Sequence, residues 1–246
     1  IISESRRAIL AAKSAFYYHY NILHTFISQH HEFLTAFSPL RIKSDLQIIN
    51  MMLEASEICD VGPMATVAGA FADLMLEAMK SNTLEYSENL RVALVEDGGE
   101  IAINSKEPLK VALFAGFNKL NLNLGFLIQD QDCPIGIGTS SSTFGHAVSL
   151  GRADAVTVFA NNASLADGAA TRVANSVKAD DIEQSIKDGL DIANNIDGVK
   201  GALICREDKV GQVGQLPHMI KIEGNKDDIL KKKFDAQFLD DYELFK

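Results

Sequence analysis

From Ser5 onward, apolar residues return at steps of three and four: Ile9, Leu10, Ala12, Phe16, Tyr20, Leu23 and Ile27. That spacing lines them along one side of an α-helix and predicts a long amphipathic N-terminal helix. The pattern fades at His30-His31, and Ser38-Pro39 marks a turn. A second helix is predicted over 45–57, with Leu46, Ile49, Met52 and Leu53 on one face. A third starts behind Gly62-Pro63, where proline suits a first helical turn. Its opening, Met64-Ala65-Thr66-Val67-Ala68-Gly69-Ala70-Phe71-Ala72-Asp73, is crowded with small residues, which let another backbone or a ligand come close.

Past Leu90 the character turns to strands. Residues 91–95 and 101–103 read as a hairpin around Asp97-Gly98-Gly99-Glu100. A strand over 109–115 follows. Then Leu120, Leu122, Leu124, Phe126 and Ile128 alternate with Asn121, Asn123 and Gly125, a period of two that predicts a half-buried strand. Strands over 135–139 and 153–159 complete this set. Helices over 165–177 and 181–192 precede strands near 202–205 and 219–222, and the charged tail beyond Asn225 reads as a terminal helix or a frayed arm. The order predicts an α+β chain forming a single body over 1–246, helical over 1–85 and sheet-rich over 86–246.

Composition narrows the function. The 246 residues are 47% apolar and 23% charged, which excludes a disordered chain. With 23 Lys and Arg against 33 Asp and Glu, the net charge of −10 repels a phosphate backbone and weighs against nucleic-acid binding. No apolar run reaches the length of a membrane span: Asp73 and Glu77 break the most hydrophobic stretch. Three widely spaced cysteines, Cys59, Cys133 and Cys205, fit a reduced cytoplasmic protein without disulfides. The missing initial Met leaves open a native piece ahead of Ile1, and export with it. Tyr17, Tyr18 and Tyr20 read as a packing stripe, and His19, His24, His30 and His31 as surface or packing residues.

Four clusters could carry chemistry. Asp167 and Thr171, four apart on a predicted helix, put a carboxylate and a hydroxyl on one face, oxygens that suit Mg²⁺. A helix cap and a buried threonine would read the same way. The run Gly136-Ile137-Gly138-Thr139-Ser140-Ser141-Ser142-Thr143-Phe144-Gly145-His146 offers backbone amides and hydroxyls for phosphate, with His146 as a candidate base, or else a polar loop. It matches neither a P-loop nor a dinucleotide fingerprint. Asp97-Gly98-Gly99-Glu100 is a hairpin turn, or a turn that a flat ring can approach. The fourth cluster is the small-residue helix from Ala65 to Asp73.

In this order, the four clusters resemble the ApbE-like superfamily, whose characterised members are FAD:protein FMN transferases, and most nearly an uncharacterised prokaryotic branch of it. Ala166-Asp167-Gly168-Ala169-Ala170-Thr171, after the strand Val156-Thr157-Val158, is similar to the family's A-D-x-x-[AS]-T signature. Thr139-Ser140-Ser141 resembles its T-S-G segment, Asp97-Gly98-Gly99 its turn beside the flavin, and Ala65 to Asp73 its A-x-x-K-G-x-x-x-D helix. The resemblance implies a T-fold-like body of mixed and antiparallel sheets packed with helices. It implies Mg²⁺ on Asp167, Thr171 and the Ala65 carbonyl. FAD or FMN would lie against Asp97, Gly98, Gly99, Gly69, Asp73, Thr139, Ser140 and Ser141, with His146 catalytic. Two departures stand out: Ala68 occupies the place of the family's lysine, and Ala147 to Arg152 depart from the motif that follows its histidine.

These expectations favour a Mg²⁺-dependent flavin-nucleotide transferase or phosphohydrolase, with a non-catalytic flavin- or nucleotide-binding module as the alternative. A serine hydrolase built on Ser140 or Ser141 with His146 and Asp167 ranks last, since no G-x-S-x-G elbow is present. The partner expected is a small nucleotide, with no nucleic acid and no membrane; self-association stays open.

Overall fold

Residues Ala155–Ala160 form a strand buried along its whole length, and their alternation divides the core in two. Val156, Val158 and Ala160 face helices, packing with Ala166, Ala169 and Val173. Ala155 and Phe159 face a second sheet, packing with Phe126, Ile128 and Leu203. A sheet covered on both sides explains why this strand reads as an unbroken apolar run.

The computed structural model describes residues 1–85, 90–141, 151–224 and 243–244. The chain begins with β1 (Ile2–Ser3), α1 (Arg6–Gln29), α2 (His31–Thr35) and α3 (Gln47–Cys59), then a 3-10 turn (Pro63–Thr66) and α4 (Val67–Glu85). Next come β2 (Val92–Asp97), β3 (Glu100–Ser105), β4 (Leu109–Ala112), β5 (Leu124–Ile128), β6 (Ile135–Ser140) and β7 (Ala155–Ala160). Helices α5 (Ala163–Ser176) and α6 (Ile182–Asn194) precede β8 (Val199–Arg206), β9 (Lys209–Gly214), β10 (His218–Lys221) and β11 (Glu243–Leu244). The large sheet runs β11-β1-β2-β3-β6-β7-β8-β9 and the small one β10-β5-β4. Every pairing is antiparallel except β1 with β11. Helices α4, α5 and α6 cover one face of the large sheet and the small sheet covers the other; α1 packs beside α4, and α3 packs on α5 and α4. The architecture is α+β with a long N-terminal helix, as the sequence predicts.

Local signals set the helix starts. Ser5 Oγ accepts the Ala8 N–H at 3.2 Å to open α1, Asn162 Oδ1 accepts from Leu165 at 2.9 Å to open α5, and Asp181 Oδ1 accepts from Gln184 at 2.8 Å to open α6.

Three expectations change. The strand predicted from Leu120 begins only at Leu124. Asn121 Oδ1 accepts the Ala115 N–H at 2.9 Å, Asn118 Oδ1 accepts from Leu120 at 3.0 Å, and Leu122 has φ of 54°. The asparagines build a turn that imitates strand alternation. The tyrosines do not enter the core: Tyr17 and Tyr18 are 63% and 64% exposed and touch neighbouring rings of α1, Tyr20 stacks on Phe16, and Phe16 meets Phe71 with ring centroids 5.0 Å apart. Strand β9 was not predicted, because Gly211 and Gly214 interrupt its pattern; a Cβ on Gly211 would lie 2.4 Å from Ile186 Cγ2 of the covering helix.

The tail expected as a helix or arm falls, apart from β11, outside the described residues. All three cysteines are free. Among the described residues no single helix is long and apolar enough to cross a membrane.

Asn121→Ala removes the acceptor for Ala115 and should lower the unfolding free energy in urea by about 1 kcal/mol. A solvent-facing strand asparagine would tolerate the change within about 0.5 kcal/mol.

Candidate functional site

Helices α4 and α5 meet start to start. Each begins with amide groups that have no partner inside their own helix, and each carries an aspartate that serves the other. Asp73 Oδ1 accepts the Ala163 N–H at 2.8 Å, and its Oδ2 accepts the Ser164 N–H at 2.8 Å. In return, Asp167 Oδ2 accepts the Gly69 N–H at 3.0 Å, and the Ala68 amide also bonds to its carboxylate. Ser164 Oγ lies 2.8 Å from Asp73 Oδ2 and 3.1 Å from Asn162 Oδ1, so its single proton serves one of them at a time. The spacings match: Gly69 to Asp73 and Ala163 to Asp167 are each four residues, one helical turn.

Glycines permit this closeness. A Cβ on Gly69 would stand 2.2 Å from the Ala163 carbonyl oxygen, one on Gly138 would stand 2.4 Å from that of Ala166, and one on Gly136 would stand 2.0 Å from the Asn162 carbonyl carbon. The first turn of α5 is thus wedged between α4 and β6 with backbone against backbone.

The β2–β3 turn closes over this junction. Asp97 pairs with Glu100 across a two-residue turn in which Gly98 and Gly99 have φ of 64° and 115°, a conformation that favours glycine. A Cβ on Gly98 would lie 3.7 Å from Ala68 Cβ, so the turn sits against the start of α4. Alternation along β2 puts Asp97 on the same face as Ala93 and Val95, which pack with α1 and α4.

Negative charge accumulates here. Burial pushes the Asp167 carboxyl up to about 7; the Gly69 and Ala68 amides pull it back, while the charges of Asp97 and Asp73 add to the rise. Asp167 nonetheless keeps a partly exposed edge. Burial, with the Glu96 charge behind it, raises Asp97 to about 6, and burial also raises Asp73 against the pull of its three hydrogen bonds. Arg172, one turn beyond Gly168, is drawn away to Asp60 at 3.0 Å. Cys59, also close to Asp167, is pushed up to about 12, chiefly by burial, and stays a thiol.

Not every expected residue comes to this place. Thr171 lies one turn beyond Asp167 on the same helix face, half-buried, and Ala65 sits in the 3-10 turn that packs against α5. Ser140 shares the helix-facing side of β6 with Gly136 and Gly138, and Ser141 follows it. Thr139 points the other way: its Oγ1 lies 3.1 Å from Thr157 Oγ1, and only its N–H reaches toward the junction, donating to Glu100 Oε2 at 3.1 Å. Asp73 is taken up by α5. His146 lies outside the described residues. Ser164 was not foreseen as a partner of Asp73, nor Glu100, part of the expected turn, as the acceptor for the Thr139 amide. The helix predicted over 165–177 begins at Ala163, behind the Asn162 cap, and nothing local marks a residue that serves a helix 90 positions away.

The family model described as AbpE bacteria matches residues 1–198. The chain belongs to that family. It is 39% identical over 204 residues to the UPF0280 protein of Methanococcus vannielii, covering 82% of this chain and 80% of that one. It is 35% identical, with the same coverage, to the UPF0280 protein of Methanocaldococcus jannaschii. Among solved structures it is similar to the flavinyl transferase ApbE of Pseudomonas stutzeri in its apo form, with TM-score 0.41 and 17% identity, over 63% of this chain. This chain spans 48% of that structure's length. The relationship read from the four motifs therefore holds at the level of the family.

Because Asp97 binds its proton more tightly when folded, it costs stability as pH rises from about 4 through about 6. Asp97→Asn should therefore gain stability relative to the parent across that window, by on the order of 1 kcal/mol at pH 8. Urea unfolding at pH 4.5 and pH 8 measures the difference. A separate check concerns Gly69→Ala, which must push α4 off the Ala163 carbonyl and should cost more than about 2 kcal/mol by the same assay.

Proposed function

We propose that the junction of α4, α5 and the β2–β3 turn is a divalent-cation-dependent pocket for a flavin nucleotide, and that the protein is a divergent FMN transferase or FAD diphosphate-cleaving enzyme. The observation that carries this reading is the partly exposed Asp167 carboxylate, which accepts from backbone amides at the start of α4 and has the negative Asp97 and Asp73 near it. Such a donor set fits Mg²⁺, which takes few protein oxygens and completes its shell with water and phosphate. Asp167, the Thr171 hydroxyl and the Ala65 carbonyl would hold it, and when bound it would neutralise charge developing on phosphoryl oxygens.

The remaining work falls to this chain's own groups. Asp73 accepts the first amides of α5 and is spent there. Gly98 and Gly99 offer a turn without side chains, where a flat ring or ribose can lie against backbone. Ser140, at the end of β6, and Ser141 after it would offer hydroxyls to a phosphate, and His146 is the candidate base for the attacking hydroxyl. Support for a flavin as the ligand comes from family membership and from the motif resemblance.

A second reading is favoured by Ala68. Where the resembled motif has a lysine, this chain has a methyl group facing Gly98, so no side-chain cation meets a diphosphate from α4. On that reading the pocket holds a flavin or another nucleotide without cleaving it.

Calorimetric titration of FAD into the protein with Mg²⁺ and with EDTA, followed by chromatography for AMP, separates the two. Mg²⁺-dependent binding with AMP release, lost in Asp167→Ala, supports the enzyme. Binding without AMP supports the module, and no binding in either condition rejects both. Protons compete with a cation for Asp97 and Asp167, so Mg²⁺ should raise the melting temperature more at pH 8 than at pH 5.

A further inference from the structure

We propose that Asp73 is a positioning residue for Asp167, acting through the backbone of α5 and on no ligand. The inference rests on the cation reading above for its consequence, but its geometry stands apart from it. Three hydrogen bonds of 2.8 Å, from the Ala163 and Ser164 amides and from Ser164 Oγ, occupy both oxygens of Asp73 and leave it little capacity for anything else.

These bonds close a ring. From Gly69 the path runs one turn along α4 to Asp73, crosses to Ala163, runs one turn along α5 to Asp167, and crosses back to Gly69. The two starts meet closely, with the bare face of Gly69 against the Ala163 carbonyl and Ala72 packed in the same core as Ala163. Steric fit limits how near they come, and attraction at both crossings sets the register. Opening the Asp73 crossing leaves the Ala163 and Ser164 amides without an acceptor and frees the first turn of α5 to pivot. Asp167, one turn further on, moves with it and loosens its hold on Ala68 and Gly69. A cation site needs its oxygen donors fixed to within about 0.5 Å, so the loosening reaches the site although Asp73 never touches it.

A purely local cap makes a different prediction. Removing Asp73 would then expose Ala163 and Ser164 and leave Ala68 and Gly69 as protected as before.

The experiment measures amide hydrogen exchange by NMR, together with calorimetric titration of Mg²⁺ alone, on the full chain and on Asp73→Ala, Asp73→Asn and Ser164→Ala. In Asp73→Ala, exchange at Ala68 and Gly69 should speed up about tenfold and Mg²⁺ should bind about tenfold more weakly. Asp73→Asn, which keeps an acceptor oxygen, should recover most of both effects. Ser164→Ala removes one of the three bonds and should give a smaller change in the same direction, which keeps the test available if Asp73→Ala does not fold. Unchanged exchange at Ala68 and Gly69 in the folded variants overturns the inference, whatever happens to their melting temperatures. If the parent protein binds no Mg²⁺, the cation reading falls on that result, and exchange at Ala68 and Gly69 alone decides this one.

Discussion

Two aspartates, each solving the other helix's terminal problem, hold the centre of this molecule. The start of an α-helix leaves donors that must find acceptors, and two such starts buried against one another would leave donors facing donors. Asp73 and Asp167 remove that conflict reciprocally. Everything near the site follows from the exchange: α5 is pinned to α4, β6 lies under α5, and the β2–β3 turn rests on the exposed rim of the junction. The arrangement also buries carboxylates close together; burial first, and neighbouring negative charge second, raise the proton affinity of Asp97 and Asp167.

The sheet supports this junction by being covered on both faces. Along β7, alternate residues serve different cores, and the same alternation in β6 sends Gly136, Gly138 and Ser140 toward the helices while Thr139 turns to Thr157. Neighbouring residues of one polar run therefore belong to opposite sides of the sheet. The Ser140 side chain lies on the side of the junction, and the Thr139 hydroxyl does not.

Much of the fold was legible because apolar spacing reports directly on which face is buried. The long N-terminal helix, the Gly98-Gly99 hairpin and the helix after β7 all follow from period and caps. The errors have physical causes too. Asn121 and Asn123 mimic the polar half of a strand while bonding like turn residues, and the glycines of β9 erase its alternation because they answer to α6. The site was legible in part. Asp167, Asp97 and the glycine turn were visible as residue types, and the family relationship in their order. Their mutual placement was not, since the bonds from Asp73 to Ala163 and from Asp167 to Gly69 join positions more than 85 apart. Nor does a sequence show that Tyr17 and Tyr18 face outward while Phe16, beside them, faces in.

The glycine-to-carbonyl contacts of β6 and α4 also bear on how such a protein can change over generations. At Gly69, Gly136 and Gly138 the facing atoms are backbone, which cannot shrink to admit a newcomer, so no compensating substitution exists for a side chain gained there. Drift is thereby closed off at the junction and left open in the segments that border it. Gly69 falls in the part of α4 that resembles the family's helix motif, and Ala68 beside it stands where that motif has a lysine. Change in such a protein is left to the side chains around a rigid backbone anchor.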